Sequence, residues 1–275
     1  VTIHFLDQKS LTKNNGFGLF EHTFSSVQQN LEFYIESNGV SSKSYLINVI
    51  RTPTISSFEM WLDYPSYTKK KDELLKNSGN ANVPQGTSIT WRLMGTNTSK
   101  IQFKTDETKL FNKVSTDEFE FVKRIYNRLD YTISSSNDQL ENYESLKYGI
   151  EVIKDEYPKI EVKSDIDSVR YGPVQFAGQL SDDYGLNSLE LIYYDSQNPS
   201  NLLNHPIAIK QLTFEEFYYV FPEGIELREG VDYEMYFQVS DNDKVNGSKN
   251  SKSSVFRYYK KTESELEEQL LVEQN

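Results

Sequence analysis

The sequence predicts an all-β protein: tandem immunoglobulin-like β-sandwiches, one partial and two complete, with a short carboxy-terminal helix. Three observations carry this. Aromatic residues are 13% of the 275, with 19 Tyr and 16 Phe, and a Tyr-rich, Ala-poor composition favours half-buried pleated strands over helices. Apolar and polar residues alternate with period two, as in Tyr148, Ile150 and Val152 beside Gly149 and Glu151. Phrases also recur about one domain length apart: "NLEFYIES" (30–37), "RLDYTISSS" (128–136) and "GVDYEMYFQVSD" (230–241), led by Leu31, Leu129 and Val231 at steps of 98 and 102 residues.

Each lead opens a hairpin. The first runs from Leu31 to Ile50 with a turn at Ser37-Asn38-Gly39, and the second from Leu129 to Ile153 with a turn near residues 135–138. The third runs from Val231 to Tyr259 around "DNDKVNGSKNSKSS". The ring after each acid (Phe33, Tyr131, Tyr233) occupies the place of the corner tyrosine near the start of a late strand in immunoglobulin-like sandwiches. Upstream, "VPQGTSITWRLMGTNTSKIQFKT" (83–105) and "VRYGPVQFAGQLSDDYGLNSLELIYY" (169–194) both read as strand, polar turn, strand. Gly86 lies 43 residues before Leu129 and Gly172 lies 59 before Val231. The last unit therefore carries extra residues, placed most simply in "SQNPSNLLNHPIAIKQLTFEEF".

A further repeat marks the joints. "YLINVIRTPTI" (45–55) and "YGIEVIKDEYPKI" (148–160) each end a hairpin and then present Pro53 or Pro158. Proline fixes φ and cannot donate to a ladder, so it suits a stiff junction between one sandwich's last strand and the next one's first. The expected organisation is the back half of one sandwich over 1–53, complete sandwiches over 54–157 and 158–261, and the start of a helical segment over 262–275. In that tail, Thr262 with Glu265 fits a capping box, and Leu266 and Leu270 fall one turn apart, so a helix is expected from near Ser264. Val1-Thr2-Ile3-His4-Phe5 enters in mid-pattern without an initiator Met, and the chain reads as a fragment of a longer one.

Composition narrows function. A net charge of −12 repels phosphate backbones and anionic membrane faces. With no Cys, disulfides and thiolate chemistry are absent. His4, His22 and His205 lie far apart and make no His-Glu-x-x-His pattern. His205-Pro206 reads as a loop before a strand. Nucleophile elbows and Gly-rich phosphate cradles are also missing, so no catalytic residue and no resident cofactor is assigned.

Two features invite a ligand. Asp182 and Asp183 sit in an early inter-strand loop, and Asp241, Asn242 and Asp243 in a late one; such loops can meet at one end of a sandwich, and Ca²⁺ takes 6–8 oxygens from groups of this kind. Against this, Asp, Asn and Gly dominate turns for backbone reasons alone. Trp61, Trp91, Tyr64 and Tyr67 offer a sugar-stacking platform, with the rings of "YYVFPEG" (218–224) beyond, though Trp91 alternates with Ile89 and Leu93 and belongs in the core. Lys69-Lys70-Lys71 reads as a solvated turn or an edge-strand guard.

Several phrases resemble a known family: "YPSYTKKKDE" (64–73), "GTSITW" (86–91), "YESL" (143–146) with "EVIKDEYP" (151–158), "SDDYGL" (181–186) and "DNDKVNGSK" (241–249). Together they span residues 64–259 and resemble the Bacteroidetes domain-of-unknown-function 4175 family of large envelope proteins. The resemblance implies amino-terminal transmembrane helices, tandem sandwiches in the periplasm on the outer face of the inner membrane, and a Gln-rich helical carboxy-terminal part. It implies no activity. Members often carry Trp before the Asp-Asn-Asp run, where this chain has Val239-Ser240.

The leading expectation is a non-enzymatic scaffold or docking segment whose partners are other envelope proteins or other parts of its own full-length chain. It would meet no nucleic acid, and membrane only through segments outside these residues. The contacts would fall on Asp182, Asp183, Tyr184 and Gly185 and on Asp241, Asn242, Asp243 and Lys244. A carbohydrate- or Ca²⁺-dependent adhesion module is the alternative, with a hydrolase behind it.

Overall fold

The computed structural model describes residues 1–165 and 173–273. The 169–172 start of the second strand–turn–strand phrase lies outside the described residues, as does the side chain of Leu270. The protein is built of immunoglobulin-like β-sandwiches, and its one described α-helix is Glu263–Glu273.

Near the amino terminus, strands Gln8–Leu11, Thr2–Phe5, Leu31–Ser37 and Val40–Ser41 line up in that order, and Tyr45–Ile47 also pairs with Leu31–Ser37. The predicted turn is present: Ser37 faces Val40, and Asn38 and Gly39 both have positive φ, at 51° and 77°. That left-handed pair matches strand twist and is why Asn-Gly is favoured there.

Strands between residues 54 and 153 form two five-stranded sheets. One is ordered Ala81–Pro84, Glu144–Ile153, Leu129–Ser136, Lys100–Lys104, Thr108–Leu110; the other Asn112–Lys113, Glu118–Ile125, Thr87–Thr96, Thr54–Asp63, Glu73–Lys76. Alternation in Thr87–Thr96 puts Thr87, Ile89, Trp91, Leu93 and Gly95 inside and every second residue outward. Trp91 is fully buried, as its neighbours predicted.

The last sandwich pairs a sheet of Lys159–Ser164, Val174–Ser181 and Phe214–Phe221 with one ordered Leu203–Ile207, Leu186–Asp195, Val231–Asp241, Asn250–Lys252; Phe256–Lys260 pairs with Val231–Asp241 as well. Its core holds Phe176, Phe217, Phe237 and Met235 among others. Phe237 meets Phe176 edge to face at 5.0 Å and Phe217 at a tilt at 5.2 Å. Each such side chain contributes roughly 1.5–3 kcal/mol on burial. Tyr233 makes the expected corner, its hydroxyl accepting from Arg228 N at 3.0 Å. Tyr131 is buried too, but its hydroxyl donates to Gly79 O, 52 residues away, and accepts from Trp91 Nε1 at 2.9 Å.

One expectation is corrected. His205-Pro206 is not loop: it lies in strand Leu203–Ile207, where His205 faces Leu191. This strand is the sheet edge, so the missing proline N–H breaks no ladder. The preceding sandwich has an edge strand in the same place, Thr108–Leu110 beside Lys100–Lys104. By compactness the chain divides into two units. The first comprises Val1–Ser57, Leu93–Phe119 and Thr132–Leu146; the second comprises Phe58–Arg92, Glu120–Tyr131 and Lys147–Asn275. Everything in the site described next lies in the second.

Candidate functional site: a lysine among buried carboxylates

The late loop folds on itself through its acids. Asp241 Oδ1 accepts from the backbone N–H of Asp243 at 3.2 Å and of Lys249 at 2.8 Å. Asp243 Oδ1 accepts from Val245 N at 2.7 Å and Asn246 N at 3.2 Å. These are the local side-chain-to-backbone bonds for which Asp is selected in turns. The second oxygens turn inward to one ammonium: Lys249 Nζ lies 2.8 Å from Asp241 Oδ2 and 3.2 Å from Asp243 Oδ2, and it also binds Asp155 Oδ2. The carboxylates are at most 1% exposed at the side chain, and Lys249 is 15% exposed.

Asp155 comes from the connection between strands Glu144–Ile153 and Lys159–Ser164. Burial pushes its carboxyl up to about 7, against the pull of Lys249, and nearby Asp183 and Asp241 add to the rise. Burial opposes the Lys249 charge as well, but bonds to Asp155, Asp241 and Asp243 outweigh it and hold the ammonium above its ordinary range. Burial likewise disfavours the Asp243 anion, yet the N–H groups of Val245 and Asn246 with Lys249 keep its pKa below the usual value.

The early loop closes the other side. Asp182 Oδ2 accepts from Tyr184 N at 3.0 Å and Gly185 N at 2.7 Å. Burial raises its pKa, partly offset by those bonds and reinforced by Asp183 and Asp241. Gly185 sits at φ 141°, and a Cβ there would come within 2.9 Å of Asn242 Nδ2; that approach lets Asn242 N donate to Gly185 O at 3.1 Å. Asn242 Nδ2 donates to Tyr67 O at 3.2 Å and Tyr184 O at 3.3 Å. The Tyr67 and Tyr184 rings meet edge to face at 5.6 Å.

The sequence-derived residues are therefore neighbours, but differently engaged from the expected five-residue set. Asp241 and Asp243 are taken up by Lys249 and their own loop. Asp182 and Asp183 gather instead with Asp155, their carboxylate oxygens within 4.8 Å of one another. Asp183 and Lys244 are exposed, and Tyr184 and Asn242 are half-buried. Sequence reading missed Asp155 and the role of Lys249. A signal existed: where "IRTP" (50–53) has one residue before proline beyond the basic one, "IKDEYP" (153–158) has three, and Asp155 is the first of them.

The proposed aromatic platform does not form. Trp61 is 43% exposed, but Tyr67 is 6% exposed and Trp91 fully buried. Surface grooves lie elsewhere, one of about 460 Å³ beside Glu161, Lys163, Gln179, Glu216, Tyr218 and Lys252, another of about 570 Å³ beside His22 and Phe24. Neither is lined by the displaced carboxyls Asp155 and Asp182. Among the described residues no helix is long and apolar enough to cross a membrane.

A family model described as "Domain of unknown function (DUF4175)" matches residues 44–214. No curated protein matches in sequence. Among solved structures, the chain is similar to domains A168-A170 from titin at 12% identity, covering 85% of this chain and 75% of that one with a TM-score of 0.28. It is also similar to the Clostridium thermocellum CbhA fibronectin(III)-like modules at 11% identity, covering 76% and 94% with a TM-score of 0.24.

Proposed function

The chain belongs to the DUF4175 family, a domain of unknown function, and from that premise we propose that it is a non-enzymatic scaffold or docking segment of a membrane-anchored envelope protein. The reading places it on the extracytoplasmic, periplasmic side of the inner membrane of a Bacteroidetes cell. Its partners are other envelope proteins or other segments of its own full-length chain, and membrane is met only through segments outside these residues.

The observation that carries the proposal is the Lys249 cluster. One ammonium ties the 154–158 connection to the 241–249 loop through charges shielded from water, and Asn242 ties that loop to 182–185 and to Tyr67. Charged groups paired in this way serve to fix geometry. They hold two loops in one relation while Asp183 and Lys244 face outward, and pre-ordered loops bind with a smaller ordering cost.

The test immobilises the full chain and passes native envelope extract over it, with Asp183→Ala/Lys244→Ala in parallel and retained proteins identified by mass spectrometry. A defined envelope protein held by the parent and lost by the variant supports docking at these loops. Retention of polysaccharide alone favours the adhesion alternative, and retention of nothing removes the docking reading.

A further inference from the structure

Among the described residues, four buried side-chain oxygens or hydroxyls have no hydrogen-bond partner: those of Tyr67 Oη, Asp155 Oδ1, Asp182 Oδ1 and Asn242 Oδ1. Buried polar atoms in folded proteins nearly always have partners, so each exception asks for a cause. These four belong to one neighbourhood. Asp155, Asp182 and Asp183 bring carboxylate oxygens within 4.8 Å of one another. The Asn242 amide bonds both Tyr67 O and Tyr184 O, and the charge of Asp155 acts directly on the Tyr67 hydroxyl.

Lys249 does not account for them. It binds the other oxygen of Asp155, Oδ2, and the Oδ2 atoms of Asp241 and Asp243. Asp155 is 8% exposed and Tyr67 is 6% exposed, so bulk water does not reach these groups freely. Charge points the same way: the ammonium of Lys249 pairs with Asp155, Asp241 and Asp243, while Asp182 and Asp183 add two further carboxylates beside Asp155. Lys69 Nζ approaches Gly185 at the rim, but no ion pair joins it to a described carboxylate. What the neighbourhood lacks is positive charge with room for several oxygens.

We infer that Asp155, Asp182 and Asp183 form a binding site for a hard divalent cation of the Ca²⁺ class, with Asp155 Oδ1 and Asp182 Oδ1 as its buried ligands and Asp183 as its exposed one. Asn242 Oδ1 and Tyr67 Oη are the neutral oxygens at hand. The donor set is oxygen only, without His or Cys, which disfavours the softer transition metals. Donors drawn from separate segments suit the irregular 6–8-fold coordination of Ca²⁺ better than the strict octahedron of Mg²⁺. An ion there would link the 154–158 connection to the 182–185 loop. The inference stands apart from the docking reading, since such a site can exist in a protein with any partner or none.

The test uses the full chain, stripped with chelator. CaCl₂ is titrated by calorimetry and thermal unfolding to about 10 mM, above the ~10⁻³ M limit of weak extracellular Ca²⁺ modules, with MgCl₂ and NaCl as controls. Terbium(III) luminescence excited through tyrosine gives an independent readout, because Tyr67 and Tyr184 adjoin the carboxylates. Asp183→Asn is the chief variant: that side chain is exposed, so the fold survives its change. The expected result is one Ca²⁺ per chain, a melting temperature that rises with Ca²⁺ and not with equivalent NaCl, and at least tenfold weaker binding in Asp183→Asn with metal-free melting no lower than the parent's. The proposal is overturned by no Ca²⁺ response in the parent chain, or by equal affinity in Asp183→Asn. It is also overturned if Asp155→Asn stabilises the metal-free protein while the parent ignores Ca²⁺, which would mean that a shared proton settles these oxygens.

Discussion

Removing the Lys249 ammonium would leave Asp155, Asp241 and Asp243 buried with no counter-charge. Breaking a buried ion pair from one side typically costs about 3–5 kcal/mol, because the remaining charge keeps its desolvation penalty. Lys249→Met, which keeps the stem's packing, should therefore lower the unfolding free energy by that order in urea titration; a change below ~1 kcal/mol would mean that the carboxylates find other partners. Tyr131 makes a smaller, neutral case. Its hydroxyl joins Trp91 Nε1 to Gly79 O inside the core, so Tyr131→Phe leaves a buried donor and acceptor unmade, for about 1–3 kcal/mol. Denaturant unfolding followed by the fluorescence of Trp61 and Trp91 measures it. These two residues differ in how far the sequence announced them. The phrase repeated three times at about one-domain spacing singled out Tyr131, and alternation with Ile89 and Leu93 placed Trp91 inside. Lys249 and Asp155 are 94 positions apart, and no local pattern says that a lysine in a turn-rich loop will fold back onto an aspartate from another connection.

Where strands and caps are concerned, the determinants are local and the sequence was readable. Asn38-Gly39 named its own turn. Thr262 and Glu265 named the helix start: Glu265 Oε2 accepts from Thr262 N at 2.8 Å, and Thr262 Oγ1 accepts from Glu265 N at 3.3 Å. Those bonds and the Tyr259 hydroxyl hold the Glu265 carboxyl below its ordinary pKa. A depressed folded-state pKa stabilises above the unfolded value of about 4.3 and is lost as pH falls through the folded one. The helix Glu263–Glu273 should thus fray in acid below pH ~4, and Glu265→Ala should fray at neutral pH; Thr262 amide shifts in an NMR titration report both. The edge strand Leu203–Ile207 was less legible, since Asn, His and Pro suppress a strand signal that only the neighbouring strand Leu186–Asp195 restores. Inside the sheet, Gly178 answers to packing that sequence does not display. A Cβ there would lie 2.3 Å from the Phe217 ring and 2.9 Å from Glu161 O. Gly178→Ala should destabilise by about 1–3 kcal/mol through overpacking, measured by the urea midpoint, and pairing with Phe217→Leu should recover part of the loss.

For the molecule as a whole, repetition disclosed the sandwiches, but what couples one stretch of chain to another lies in contacts between loops that a repeat cannot encode. In the second compact unit, residues 58–92 and 147–275 are joined through Asn242 to Tyr67 and Asn246 Nδ2 to Gln85 Oε1 at 2.9 Å, while Lys249 to Asp155 holds the 241–249 loop that carries both asparagines. The distribution of tryptophan makes that coupling measurable. The two Trp residues, Trp61 and Trp91, both precede residue 92, so fluorescence follows that stretch alone. Hydrogen exchange of peptides from Phe214–Phe221 and Val231–Asp241 follows the core of the last sandwich. If the buried cluster makes the stretches cooperative, the two probes give one urea midpoint in the parent protein, the usual mark of a single transition. In Lys249→Met the midpoints should separate, with the exchange-monitored strands opening first, because they carry Asp241 and adjoin Asp243, whose charges lose their partner. Midpoints that already differ in the parent would show that the cluster stiffens a loop without coupling the chain. Midpoints that fall together in the variant would assign the coupling to Asn242 and Asn246, whose bonds do not involve the lysine.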